Sequence, residues 1–144
     1  EVKTLATLEE LQTEAGNFVR TLVPKEDRST LVTLTGELGA GKTSFTQGLA
    51  RELGVEEVVT SPTFVLMKTY DTKDSVFEKL IHIDAYRLEG ERSLSPLGLD
   101  AYLENPKNLI LVEWPEKVGG QLPKSDVEIT LEVLPDNTRH ITYG

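Results

Sequence analysis

LVTLTGELGAGKTSFTQGLARELG, residues 31–54, decides the fold. Leu31 to Thr35 is a short apolar and β-branched run that reads as a buried strand. Directly behind it, Gly36-x4-Gly41-Lys42-Thr43 fits the pattern G-x-x-x-x-G-K-[ST]. Lys42 to Leu53 then reads as a helix, with Gly54 placed as its C-terminal stop. A strand, a glycine-rich loop and a helix in that order make a phosphate cradle. Glycines let backbone N–H groups crowd around an anion without Cβ clashes. The following helix aims its N-terminal dipole and unpaired N–H groups at the same anion. On this reading Glu37, Leu38, Gly39, Ala40, Gly41, Lys42 and Thr43 bind a nucleotide, with Lys42 on the β- and γ-phosphates and the Thr43 hydroxyl on Mg²⁺. Glu37 is expected to turn its carboxylate away from the phosphates. At average glycine usage near 7%, the four fixed positions recur by accident in under about one chain in a hundred of this length.

A Mg²⁺-nucleotide site needs a carboxylate to fix the metal or its waters. Two acids close candidate strands: Asp84 ends KLIHIDAYR and Glu113 ends NLILVEW. In open α/β sheets ligands lie beyond the carboxyl ends of the strands, where the loop also lies. Four apolar residues followed by an acid describe a buried strand delivering one carboxylate, so Glu113 is the expected Mg²⁺ ligand. Asp84 is cast as a catalytic acid that stands behind the metal's own ligands or positions a water. A lone strand-end acid is otherwise a solvated surface group, the competing reading for both.

The rest of the chain fills in a single α/β domain over residues 1–144. Thr7 to about Leu22 reads as a helix, because Thr7 and Glu10 have capping-box spacing and Leu8, Leu11, Ala15, Phe18, Val19 and Leu22 recur at 3–4 spacing. Thr63 to Tyr70 and Val76 to Ile83 read as a hairpin around DTKD. A short helix is expected around Leu99 to Leu103, and Leu109 to Val112 suits a central strand. Val127 to Leu134 and His140 to Tyr143 flank PDNT as a second hairpin. The expected architecture is a P-loop NTPase-type domain with a mixed parallel and antiparallel central sheet flanked by helices.

Composition narrows the function. With 24 acidic against 15 basic residues the formal net charge is -9, which speaks against the basic footprint of broad nucleic-acid binding. Cysteine is absent, excluding disulfides and thiolate metal sites, and His82 and His140 are too few for a histidine-based metal site. No apolar run approaches membrane-spanning length, and EVKTLATLEELQ lacks the order of a signal peptide, so a cytoplasmic protein with no membrane partner is expected. Ser61 and Thr63 of TSPTF read either as a switch-like loop near the γ-phosphate or as a plain connector. Trp114 reads by default as core packing, or as a partner contact or a wall of the site, and Arg87 as a phosphate contact or a partner of nearby acids such as Glu89 or Glu91.

GELGAGKT, SPTF, HIDAYRL, LGLDAYL, VEWPEKV and a terminal hairpin follow one another in an order that resembles the TsaE (YjeE) family of bacterial P-loop ATPases. The resemblance runs from TEAGNF to TRHI. It implies an ATP-binding, slowly hydrolysing subunit in the formation of threonylcarbamoyladenosine next to the anticodon of tRNA. Such a subunit works on the TsaD–TsaB pair as a motor or reset factor, with a TsaC-type enzyme upstream and tRNA reached through the complex. The family pattern implies Lys42 on the phosphates, Thr43 and Glu113 on Mg²⁺, and Asp84 as a catalytic acid. It also implies Ser61, Pro62, Thr63 and Phe64 as a switch-like loop and Arg139 near the adenine. The stretch EGERSLSPLGLD matches the family only loosely.

Two other readings share the loop: a small-molecule kinase and a nucleotide-gated binding module. A kinase of this type wants a lid with arginines, whereas the six here (Arg20, Arg28, Arg51, Arg87, Arg92 and Arg139) are scattered and little chain is left for a lid. The guanine-reading N-K-x-D is missing from the sequence, which leans toward ATP.

Overall fold

Thr7 starts the first helix. Its Oγ1 accepts a hydrogen bond from Glu10 N at 3.0 Å, the cap expected from the spacing, while the Glu10 carboxylate accepts from Ala6 N, one residue before the cap, rather than from Thr7 N. The computed structural model of the chain describes residues 2–37, 39–60, 67–86, 98–118 and 122–144. Along these run β1 (Val2–Leu5), α1 (Leu8–Thr21), β2 (Thr30–Thr35), α2 (Lys42–Glu52), β3 (Met67–Asp71), β4 (Lys79–Asp84), α3 (Leu99–Leu103), β5 (Asn108–Glu113), β6 (Val127–Val133) and β7 (Arg139–Tyr143). A single 3₁₀ turn, Pro115–Lys117, follows β5.

The strands form one seven-stranded sheet in the order β1-β7-β6-β2-β5-β4-β3. Its centre is parallel: β2 lies between β5 and β6, and β4 lies beside β5. Both margins are antiparallel, β3 on β4 at one side and β6-β7-β1 at the other. The mixed sheet and both hairpins are those the sequence leads one to expect.

Because successive residues of a strand face opposite sides, the two faces carry separate cores. Val32, Leu34, Leu80, Leu109, Leu111, Ile129 and Leu131 meet α1 and α2 through Leu11, Ala15, Phe18, Phe45 and Leu49. Leu31, Ile81, Ile83, Ile110 and Val112 meet Leu99 of α3 and Val118. All six residues of β5 are buried, as a central strand of a covered parallel sheet requires.

Two features differ from expectation. β1 is an added edge strand. β4 begins at Lys79 rather than Val76, because Asp74 Oδ2 accepts from Val76 N and Phe77 N and holds those residues in the turn. The first part of the expected strand from Thr63 lies outside the described residues and β3 begins at Met67.

α1 and α2 pack at a point where only a glycine fits. A Cβ at Gly48 would lie 2.4 Å from Gln12 O and 2.6 Å from Gln12 Cα, backbone that cannot step aside alone. Gly48→Ala is therefore expected to force the helices apart and cost about 2 kcal/mol or more, lowering the thermal midpoint by about 5 °C or more. Calorimetric unfolding checks this; an unchanged midpoint would contradict the packing described.

Candidate functional site

The site is set by sheet register. β2 and β5 pair with Leu34 opposite Glu113, and β4 and β5 pair with Asp84 opposite Glu113. Neighbouring strands lie about 4.8 Å apart, so the two acids end adjacent strands at one level, Glu113 one strand and Asp84 two strands away from the point where β2 gives way to the glycine loop. By alternation from Leu111 and Leu80, both sit on the sheet face that α1 and α2 cover.

Gly36 leaves β2 where a Cβ would meet Leu131 O at 2.9 Å. Gly39 (φ 84°) and Gly41 (φ 104°) adopt left-handed backbone that side chains disfavour. Gly41 is also the N-cap of α2, so Lys42 and Thr43 open the helix and the first N–H groups of α2 have no partners within the helix. Glu37 is exposed and Ala40 buried. Leu38, the remaining residue expected in the loop, lies outside the described residues.

Lys42 is 6% exposed. Its ammonium donates to the carbonyls of Gly36 and Glu37, the latter at 3.0 Å. It lies 4.3 Å from the centroid of the Trp114 ring, a cation–π contact. Burial lowers its pKa, and the negative charges of Glu113, Asp84 and Glu116 work against that shift. The lysine is thus held by the loop's own oxygens and by an aromatic face, with three carboxylates close enough to be felt.

Trp114 holds its place through an unusual backbone: φ is 57°, left-handed for a bulky residue, directly before the Pro115 turn. Its ring packs on Tyr86 at 4.9 Å between centroids, tilted 49°. The ring is half-buried and packs against the core on the α3 side of the sheet, the default expected from the sequence, while also facing Lys42.

Glu113 is 3% exposed and His82 fully buried, with His82 Nε2 2.5 Å from Glu113 Oε2. Asp84 is partly exposed, and its Oδ1 accepts from Tyr86 N at 3.0 Å. Among the described residues no three His, Cys, Asp or Glu side chains gather as a metal cage. Mg²⁺ commonly takes one or two carboxylates, waters and substrate phosphates, and the Thr43 hydroxyl and the Glu113 carboxylate, at the start of α2 and the end of β5, are donors of that kind.

Arg139, from the far end of the chain, reaches the loop from β7. Its Nε donates to Ala40 O at 2.9 Å and its Nη2 to Gly39 O at 3.4 Å. The guanidinium therefore braces loop carbonyls. Beside the loop opens a cleft of about 660 Å³, lined in part by Gly36, Glu37, Trp114, Glu116 and Glu132. The expected loop Ser61, Pro62, Thr63 and Phe64, and Arg87, lie outside the described residues.

Sequence reasoning missed the contact of His82 with Glu113 and the brace by Arg139. His82 stands in an apolar strand and reads as core; its position two residues before Asp84, on the same face, was the available signal. The brace joins residues 99 apart and left no local signal.

The sequence profile of the family described as "Threonylcarbamoyl adenosine biosynthesis protein TsaE" matches residues 5–141. Among curated relatives, the tRNA threonylcarbamoyladenosine biosynthesis protein TsaE of Bacillus subtilis (strain 168) is 42% identical over 113 residues, 78% of this chain and 68% of that one. The protein of the same description from Treponema pallidum (strain Nichols) is 37% identical over 118 residues, 82% and 84% of the two chains. The crystal structure of Bacillus subtilis YdiB superposes with a TM-score of 0.79 at 31% identity, over 99% of this chain and 83% of that one.

The brace makes a prediction of its own. Arg139→Ala should free the Gly39 and Ala40 carbonyls and weaken binding of a phosphate-bearing ligand at the loop about tenfold, and Arg139→Lys should not restore it, because the planar fork is lost. Titration followed by the fluorescence of Trp114, the chain's only tryptophan, measures both; wild-type affinity in the alanine variant would show the brace to be idle.

Proposed function

The chain belongs to the TsaE family, whose members are threonylcarbamoyladenosine biosynthesis proteins of tRNA, and on that premise we propose that it is a Mg²⁺-dependent ATPase. One observation carries the reading: the register that ends β4 and β5 in Asp84 and Glu113 beside the loop that presents Lys42. A strand, a glycine loop opening a helix, a buried lysine and two level carboxylates form the equipment of phosphoryl transfer to water.

Each residue has a task in this reading. The N–H groups at the start of α2 and the glycine loop hold the phosphate oxygens. Lys42 exchanges the carbonyls of Gly36 and Glu37 for the β- and γ-phosphates, a charge-assisted contact stronger than the neutral acceptors it leaves. Trp114 keeps that ammonium at the mouth of the loop. Thr43 and Glu113 would hold Mg²⁺, which when bound supplies charge neutralisation on the phosphate oxygens. Asp84, fixed by Tyr86 N, orients the attacking water. Arg139 keeps the loop carbonyls turned outward so that the N–H groups face in.

In the pathway, the slow hydrolysis is used on a TsaD–TsaB pair as a motor or reset step, in the cytoplasm, with the activated intermediate coming from a TsaC-type enzyme. The chain itself does not modify the base. The modest basic content supports contact with tRNA through the complex rather than directly.

Lys42→Ala should weaken ATP binding about 10- to 100-fold, as read by calorimetric titration; full affinity would sink the loop assignment. Glu113→Ala should cut Mg²⁺-dependent turnover about 100-fold while changing nucleotide affinity in chelator by less than about threefold. Turnover that ignores this substitution across a magnesium titration would refute the metal role. The pathway role is tested by reconstituting tRNA threonylcarbamoylation from TsaC-type enzyme, TsaD and TsaB with and without the chain. Multiple-turnover modification should depend on it and on intact Lys42; identical yields without it would remove the proposed role.

A further inference from the structure

We infer that His82 is a positioning residue for Glu113, setting the carboxylate that the proposed ATPase uses for its metal; the inference rests on that reading of Glu113. His82 is fully buried in β4, opposite Leu111 of β5, two register positions below the level of Asp84 and Glu113. From there its Nε2 reaches diagonally up the same face to Glu113 Oε2 at 2.5 Å. A carboxylate only accepts, so Nε2–H donates. Among the described residues this is the hydrogen bond to the Glu113 side chain.

The position does not ask for histidine on packing grounds. Its neighbours on this face, Leu80, Leu109 and Leu111, are leucines at or below 1% exposure, and a leucine at 82 would continue them. The imidazole instead brings a cost, since its Nδ1 is buried without a partner among the described residues. What offsets that cost is the single bond to Glu113. The bond ties one carboxylate oxygen and fixes the rotation of the carboxylate plane, leaving the second oxygen without a described hydrogen bond. A ligating carboxylate held in this way is presented in one orientation, and loss of such a support commonly lowers metal affinity 10- to 100-fold. With the bond removed, Glu113 would sit in a nearly dry setting with no neutral donor to orient it.

The test measures ATP affinity by calorimetry in Mg²⁺ and in chelator, in wild type, His82→Leu and His82→Gln, with turnover recorded alongside. The ratio of the two affinities reads the metal, and the chelator value reads the loop. In His82→Leu the ratio should fall about tenfold or more, with the chelator affinity within about twofold of wild type. In His82→Gln, whose amide nitrogen stands near the place of Nε2, most of the ratio should return. A wild-type ratio in His82→Leu overturns the inference while leaving the metal role of Glu113 intact. A wild type whose affinity ignores Mg²⁺ overturns that metal role and the inference with it. If circular dichroism shows His82→Leu unfolded, His82→Asn takes its place. Its amide is too short to reach Glu113, so it should lose the ratio that His82→Gln keeps, and equal ratios in the two overturn the inference.

Discussion

The site depends on the parallel pairing of β5 with β2 and β4, in which Leu34, Glu113 and Asp84 stand level. A slip of one residue would turn Glu113 to the opposite face of the sheet, against α3 and the core around Ile83 and Val112 rather than beside Lys42. The register is fixed by burial: β5 has apolar residues on both faces, and either slip would exchange two filled cores. A carboxylate at the end of such a strand has little choice of direction. Precision that a surface loop could not supply thus comes from the least mobile part of the molecule.

Around that pairing the other elements hold the glycine loop in place. α2 carries the loop's last residues on its first turn, and α2 is held against α1 by the close approach at Gly48. Arg139 reaches across from β7, tying the loop to the antiparallel margin of the sheet. Trp114 closes the side toward β5 by stacking on Lys42. A left-handed backbone at a tryptophan costs about 1–2 kcal/mol, and the contact it makes at the loop gives that strain a functional reading. Lys42 therefore touches the loop that leaves β2 and the segment after β5, so that few motions could move it alone.

Much of this was legible in the sequence because it is local. The loop pattern, its flanking strand and helix, the Thr7–Glu10 cap, the apolar run ending in Glu113 and the short helix Leu99–Leu103 are each written within a few residues. What was not legible depends on partners far along the chain. β1 has only four residues, three of them exposed, and exists because it pairs with β7 at the other end of the sequence. The start of β4 is set by the side chain of Asp74, which competes for the backbone at Val76 and Phe77. The meaning of His82 appears only once β4 and β5 are in register, and that of Arg139 only once β7 lies beside the loop. The family resemblance lay in the order of several motifs along the chain, whereas the loop alone is shared by kinases, switches and ATPases.

The most direct test of the account is a crystal structure of the chain with Mg²⁺ and a non-hydrolysable ATP analogue. The account predicts β- and γ-phosphate oxygens within about 3 Å of Lys42 Nζ, and a metal about 2.1 Å from Thr43 Oγ1, bound to Glu113 directly or through one water. A nucleotide seated away from the Gly36–Thr43 loop, or a metal with no link to Glu113, would contradict it.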